Sequence, residues 1–367
     1  MVTIREIANK LGVSISTVSA VVNNRGYVST AMRARIEEAL RKANYSPHQI
    51  ARSLRLGETR TIGVIVPDLI NSFYSRLMRG AEDYLAAAGY RLLVTDSRED
   101  WKRQHDYLLS FSGKIADGII LVPCMATNEQ IAKIPNIVRD TPLVYADRSP
   151  LRSNVDSVSV DNVRASFEAT CHLLKLGHRR IAILTEPLNL LNAADRLAGY
   201  RHALRSYGIT ADRELVRRGN NKEDSGYWQG LELLRLADRP TAVLVCNNLM
   251  TLGFLAALRE LGVACPREVS LVGFDDFEWS SYLRPPLTMV RQPASELGAE
   301  AAKAVLKRVR HPGQGETKKV QLLTQLIVRE STAAPNDAPR VVVHRNPARR
   351  GSRLQALRPR ADEFRAR

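Results

Sequence analysis

From Thr61 to Asp276 the chain keeps one rhythm: a short apolar, β-rich run, a longer amphipathic stretch, then another apolar run. "TIGVIV", "RLLVTD", "DGIILV" and "TPLVYAD" form a first set, with helical stretches at about 72–88 and 99–113 separating the first three. A second set follows. It comprises "RRIAILTE", a helix through "DRLAGYRHALRSYG", a helix around "SGYWQGLELLRL", then "TAVLVCNN", "MTLGFLAALRELG" and "VSLVGFDD". Alternating β and α elements predict parallel sheets covered on both faces by helices. The strands are too many for one ordinary sheet of this type, and the two sets are similar in length. Two α/β lobes, joined by crossovers near residues 160 and 290, are therefore expected within 61–332. Ligand would bind between them, at the carboxyl ends of the strands.

Strand-end positions supply the candidate binding residues. Asp147 and Arg148 end "LVYADR", Asn247 ends "AVLVCN", and Asp275 ends "SLVGFD". Phe73 and Tyr74 sit in the first strand-to-helix loop, and Arg196 begins the helix "RLAGY". An aromatic plate with one or two Asp, an Arg and an Asn suits a polyol or a sugar acid, through bidentate bonds to vicinal hydroxyls and stacking on the ring face. Each residue also has a structural reading: Asp275 as a helix cap, Asn247 as a turn residue, Arg196 as a surface charge.

The first sixty residues follow a different pattern. Ile4, Ile7, Ala8 and Leu11 share one helical face, Thr3 and Glu6 read as a capping box, and Gly12 stops the helix. Ser14 can cap a second helix that buries Val18, Val21 and Val22 and turns Ser16, Ser19, Ala20 and Asn23 the other way. Asn24, Arg25 and Gly26 form a turn, and Ser29 caps a third helix with Met32, Ile36, Ala39, Leu40 and Ala43 inward. Three short helices with a three-residue turn between the first two are helix-turn-helix geometry. A helix that reads base edges needs short polar and methyl-bearing side chains, because long charged ones meet phosphates first. Arg5, Lys10, Arg33 and Arg35 would grip phosphate. A three-helix bundle that binds protein is the alternative. After Pro47, "HQIARSLR" is a helical segment too short to stand alone in water. Its Leu54 reads either as a minor-groove wedge or as packing against the preceding helix.

Charge agrees with a polyanion partner. The chain has 367 residues and a formal net charge of +16. Residues 1–58 hold nine Lys/Arg against four acids, and residues 331–367 hold nine Arg against three acids. No apolar run is long enough to cross a membrane, and the N-terminus lacks a secretory h-region, so a cytoplasmic, nucleoid-associated protein is expected. Cys124, Cys171, Cys246 and Cys265 are far apart and read as buried free thiols. The tail "NDAPRVVVHRNPARRGSRLQALRPRADEFRAR" is basic, Pro-rich and without sustained period, so residues 333–367 are expected to be disordered.

The order T-x-x-x-I-A, L-G-V-S-x-S-T-V-S, V-N, Y-x-P and A-x-S-L resembles the DNA-binding head and hinge helix of the lac repressor/galactose repressor (LacI) family. "LGHRRIAIL", "RLAGYRHAL", "SLVGFDD" and "LIVRESTAAP" resemble the family's periplasmic-binding-protein-type effector domain, so the likeness spans roughly 2–332. The resemblance implies a head at 1–46, a hinge helix and linker at 47–60, and a two-lobed effector-binding and dimerisation domain at 61–332. It implies double-stranded operator DNA as partner, with Thr3, Ile15, Ser16, Thr17, Ser19, Ala20, Asn23, Arg25, Tyr27, Ser29, Ile50, Ala51 and Leu54 as contacts. Ile15 and Ser16 would lead the reading, and Leu54 would enter the operator centre. It implies an effector, sugar or sugar acid, held by Phe73, Tyr74, Asp147, Arg148, Arg196, Asn247 and Asp275. It also implies a homodimer, since "RLQAL" is too short for the leucine heptad helix that makes tetramers in one member.

Three positions depart from the family pattern. Ala20 replaces a base-reading Arg or His, Asn248 stands where most members have Asp, and Asn221 stands about where purine-binding members place a stacking Phe. Asn221 therefore speaks against a nucleobase. "LGHRR" offers His178 either as a general base or as a turn-fixing residue. With no G-x-S-x-G, metal-ligand spacing, P-loop or dinucleotide fingerprint, no enzyme, no metal and no cofactor is expected. A solute-binding protein without specific DNA binding is the competing function.

Overall fold

The computed structural model of the chain describes residues 3–22, 25–43, 58–150, 153–188 and 191–336, and two units separate within it, Met1–Thr59 and Arg60–Arg367. Asn23, most of the expected hinge helix with Ile50, Ala51 and Leu54, and the tail from 337 onward lie outside the described residues.

In the first unit, helix α1 (Ile4–Leu11) starts at the reciprocal cap. The Glu6 N–H donates to the Thr3 hydroxyl and the Thr3 N–H to the Glu6 carboxylate, each at 3.2 Å. Gly12 ends α1 in the left-handed region at φ 67, with its N–H on the carbonyls of Ala8 and Asn9. Helix α2 (Ile15–Val22) starts at Ser14, whose Oγ accepts the Thr17 N–H at 3.1 Å. Helix α3 (Thr30–Lys42) is capped by Ser29, whose Oγ accepts the Met32 N–H. Ile7, Ala8, Val18, Val21 and Ile36 form the core of this unit. It is small, because about forty residues bury little apolar area.

The second unit holds two six-stranded sheets. The first orders its strands β11-β5-β4-β3-β1-β2, all parallel: β1 (Thr61–Val66), β2 (Arg91–Asp96), β3 (Gly118–Leu121), β4 (Leu143–Ala146), β5 (Asp156–Val160) and β11 (Lys319–Leu322). The second runs β12-β10-β9-β8-β6-β7: β6 (Ile181–Thr185), β7 (Val216–Arg218), β8 (Ala242–Val245), β9 (Ser270–Phe274), β10 (Thr288–Arg291) and β12 (Gln325–Ile327). Only β12 is antiparallel there, against β10. Helices α4 (Ser72–Ala87) and α11 (Ala294–Arg310) cover one face of the first sheet, and α5 (Trp101–Ser110) and α6 (Asn128–Val138) the other. In the second lobe, α7 (Asn162–Lys175) and α8 (Leu191–Ser206) cover one face, and α9 (Glu223–Leu234) and α10 (Asn248–Leu261) the other.

The chain crosses between lobes after β5 and after β10. It crosses a third time through residues 323–324, between β11 and β12, which the sequence reading did not anticipate. Strands of three and four residues at sheet edges carry too little period to read. Two placements need correction. Arg196 is not the first residue of its helix but lies inside α8, which begins at Leu191. Phe73 and Tyr74 are not in a loop but in the first turn of α4, whose cap is Asn71.

Candidate DNA-contacting face and candidate effector cleft

In the head, α2 turns its valines inward and leaves its first turn open. Ile15 is 46% exposed although apolar, and Ser16 is exposed. An uncovered isoleucine beside a hydroxyl is poor packing for a free bundle and a good match to a thymine methyl beside a hydrogen-bonding base edge. Ser14 Oγ lies 2.7 Å from both Ser16 Oγ and Thr17 Oγ1, so these hydroxyls are pre-ordered. Ser19 and Ala20 are half-buried, whereas Arg25 and Tyr27 are exposed, Tyr27 at 97%. Thr3 and Ser29 serve as helix caps at the N-termini of α1 and α3, where a phosphate is favoured.

In the second unit, the carboxyl ends of both sheets gather the other candidates. Phe73 and Tyr74 are buried, with rings edge to face at 5.2 Å. Asp147 and Arg148 follow β4, Asp275 follows β9, and both aspartates take left-handed backbone, φ 61 and 66. Arg148 Nη1 donates to Glu99 Oε1 at 2.9 Å and to the Pro123 carbonyl at 3.1 Å. Arg196 lies over the Phe274 ring at 4.3 Å. Its Nη1 donates to Glu186 Oε1 at 2.7 Å and its Nε to Asn162 Oδ1 at 2.8 Å. Arg196 is thus no surface charge. Asn247 caps α10, its Oδ1 accepting the Met250 N–H at 3.1 Å. Among the described residues, side-chain hydrogen bonds join lobe to lobe from Asn248 Nδ2 to Asn71 Oδ1 and from Arg76 Nη1 to the Asp276 carbonyl, both 2.8 Å.

Burial sets the electrostatics. It pushes the Asp147 carboxyl up to about 6, against the pull of Arg148 and Arg196. Asp275 and Glu186 are raised by the same cause, opposed in each by Arg196. Asp276 runs the other way: although burial opposes it, bonds from Arg329, Ser280 and Arg291 hold it low. Burial lifts the Cys124 thiol to about 12 and Cys246 well above its ordinary value, so neither is a nucleophile at neutral pH. His178 is buried with Nδ1 2.9 Å from Thr241 Oγ1 and Nε2 2.8 Å from the Ala333 carbonyl, which pins the end of the described chain to the second lobe. Among the described residues there is no cluster of His, Cys, Asp and Glu fit to hold a metal ion, and no helix is long and apolar enough to cross a membrane.

Sequence reasoning missed Glu99, Glu186, Asn71, Asn162 and Gln292. Glu186 had a signal, since it directly follows the strand "RRIAILT". Glu99 lies three residues past β2, where nothing local marks it.

A helix-turn-helix unit on the same chain as a two-lobed parallel-sheet domain with a charged, buried cleft defines a ligand-responsive transcription regulator. Residues 3–48 match the model of bacterial regulatory proteins of the lacI family, and residues 170–332 that of a periplasmic binding protein-like domain. The chain is 34% identical over 310 residues to the HTH-type transcriptional repressor PurR of Vibrio atlanticus (strain LGP32), covering 84% of this chain and 92% of that one. Among solved structures it is similar to the lac repressor dimer bound to operator and the anti-inducer ONPF, with 28% identity, 91% and 99% coverage and a TM-score of 0.82. It is also similar to a transcriptional regulator CelR–cellobiose complex, with 30% identity, 90% and 100% coverage and a TM-score of 0.68. The chain belongs to the LacI family of bacterial regulatory proteins.

Proposed function

We propose that the chain is a repressor that binds a pseudo-palindromic operator as a homodimer and releases or grips it according to a polyhydroxylated effector in the cleft. One observation carries the reading. A head with an uncovered Ile15–Ser16 turn is joined to a domain that buries Asp147, Arg148 and Asp275 at its strand ends and Arg196 from α8. Buried charge of this kind costs stability unless a ligand or a partner uses it. The lac repressor neighbour is a dimer on operator, and the CelR neighbour holds cellobiose.

Two heads related by a twofold axis sit on successive major grooves, so the operator is symmetric. Ile15, Ser16, Thr17, Ser19, Ala20 and Asn23 face bases, while Thr3, Arg25, Tyr27 and Ser29 hold backbone. Ile50, Ala51 and Leu54, which lie outside the described residues, contact the operator in this reading, with Leu54 as the wedge at its centre. Phe73, Tyr74, Asp147, Arg148, Arg196, Asn247 and Asp275 hold the effector, and ligand changes the angle between lobes. To switch the operator from nearly full to nearly empty, the ligand must discriminate the two states by roughly 5 kcal/mol. The protein works in the cytoplasm, at the nucleoid.

The test is selection of duplex sites from a random pool by the full chain, followed by competition at rising salt. A symmetric site preferred over random duplex is expected, with Leu54→Ala weakening specific binding far more than nonspecific binding. Ligand binding without any site preference would instead identify a solute-binding sensor.

A further inference from the structure

The outer helix pair of the second lobe carries positive charge that its folding does not use. Lys175 closes α7, Arg201 and Arg205 lie one turn apart on α8, and Arg179 follows in the loop to β6, all exposed. The acids of the same two helices are Glu168, which Arg164 holds at 2.7 Å, and the half-buried Asp195. The neighbouring Arg180 pairs with Asp212, Glu214 and Asp238. Among the described residues, the side chains of Lys175, Arg201 and Arg205 form no ion pair and no hydrogen bond. Lys175 and Arg205 complement the negative ends of their helices, but that does not account for Arg179 or Arg201. Arg201 and Arg205 are also spaced i, i+4, where like charges destabilise a helix. Ring contacts border the cluster: the Arg179 guanidinium lies over Tyr207 at 5.9 Å, and His202 meets Phe167 at 4.9 Å.

The basic tail leaves the body inside this cluster. His178 Nε2 lies 2.8 Å from the Ala333 carbonyl, His172 Nε2 lies 2.9 Å from Thr332 Oγ1, and the Ala333 N–H donates to Ser270 Oγ at 3.0 Å. Pro335 packs against Gly177, where an added Cβ would meet its Cδ at 3.5 Å, and Gly177 stands between Lys175 and Arg179. Residues 337–367, which follow, hold nine Arg and no Lys against three acids. Two cationic stretches distant in sequence therefore converge on one pole of the second lobe, which deepens the positive potential there. Within the two-lobed unit this pole is also the far one. The carboxyl edges of the two sheets meet at the cleft, so the amino edges point apart, with Thr61 and the junction to the head at one and Ser270 and the root of the tail at the other.

We propose that the outer α7–α8 face and residues 337–367 form a second binding site for duplex DNA, independent of sequence and separate from the head, through which one molecule holds two duplex segments. Cations spread along a helix pair match a polyanion that repeats its charge every few ångströms better than they match a single phosphate. Arginine forks bind phosphate oxygens in pairs, which favours a nucleic-acid backbone over an acidic peptide. The rings at the site, Tyr207 and Phe167, are engaged by Arg179 and His202, so the contacts go to the backbone and carry no sequence preference. The site does not depend on what fills the cleft.

The experiment is bridging. The full chain is loaded onto an immobilised short duplex of random sequence, and capture of a labelled second duplex is followed as salt rises. Two variants are compared with the parent. One carries Lys175→Gln, Arg201→Gln and Arg205→Gln on the helix pair, and the other Arg349→Gln, Arg350→Gln and Arg353→Gln in the tail. The parent should capture the second duplex, and each variant should lose about tenfold of that capture while keeping the first duplex and the parent's melting transition. Each phosphate contact adds about 0.9 to the slope of log affinity against log salt, so three neutralised contacts should flatten the salt dependence of capture by about 2 to 3. Sites selected from a random pool should be the same for the parent and the helix-pair variant, because the head is untouched. A parent that captures no second duplex overturns the inference, as does a helix-pair variant that captures it like the parent, whatever the tail variant does. A changed selection profile also overturns it, because the face would then belong to the operator contact. Polyglutamate that displaces the second duplex as well as an equal charge of unlabelled duplex would overturn the choice of DNA.

Discussion

Asp147→Asn should make the ligand-free protein more stable at neutral pH. The carboxyl is 5% exposed, stands beside Arg148, Arg196, Asp275 and Glu186, and is pushed by burial from an ordinary 3.8 to about 6. A raised carboxyl binds its proton more tightly in the folded chain than in the unfolded one. Stability therefore falls as pH rises through the window from about 4 to 6, and the full penalty is present above it. At about 1.4 kcal/mol per tenfold in proton affinity, that penalty is about 3 kcal/mol. The attraction of the two arginines is already inside the figure. Asparagine also suits the left-handed backbone at φ 61, so the exchange adds no strain. Urea unfolding of the two-lobed unit, followed by tryptophan fluorescence, should show a gain of up to about 3 kcal/mol near pH 7.5 that vanishes near pH 4. In thermal scans it should be worth about 5 °C or more. A variant no more stable than the parent at neutral pH, or a gain that persists in acid, would refute the argument.

Other substitutions have signs set by the same structure. Asp276→Asn removes a carboxylate that Arg329, at 2.9 Å, and Arg291, at 2.6 Å, hold low, and should lower stability at neutral pH by about 3 kcal/mol in the same assay, opposite to Asp147→Asn. Gly298→Ala would place a methyl 1.8 Å from the Leu77 carbonyl oxygen where α11 crosses α4, and should lower the melting transition by about 3 kcal/mol or prevent folding. Ala20→Arg should change base preference at one symmetric operator position, read by site selection; an unchanged profile means that position does not face the groove. Thr3→Ala removes half of the capping box and should cost the head about 1 kcal/mol, measured by its helical circular dichroism on heating.

The regular parts of this chain were readable because their causes are local. Thr3 and Glu6 are three residues apart, and the cap they form needs nothing else. The runs "TIGVIV" and "TAVLVC" are apolar on both faces, which only a covered sheet accommodates. Of the cleft, the residues at strand ends were readable because topology alone sends them there: Asp147, Arg148 and Asp275 all lie at the carboxyl ends of buried strands. Glu99, Gln292 and Asn71 escaped because no period or cap distinguishes them from ordinary loop residues.

By itself, then, the order of amino acids determined a three-helix head and two parallel-sheet lobes, and which edge of each sheet would carry the polar chemistry. Only the tertiary structure decided which charges meet. Glu99 and Arg148 are 49 residues apart, and Asn71 and Asn248 are 177 apart, yet each pair is in hydrogen-bond contact. The same folding left Asp147 raised and Asp276 lowered, although both follow buried strands. A carboxylate's charge state depends on the desolvation and the cations that packing brings to it, and those come from distant segments that no local window contains.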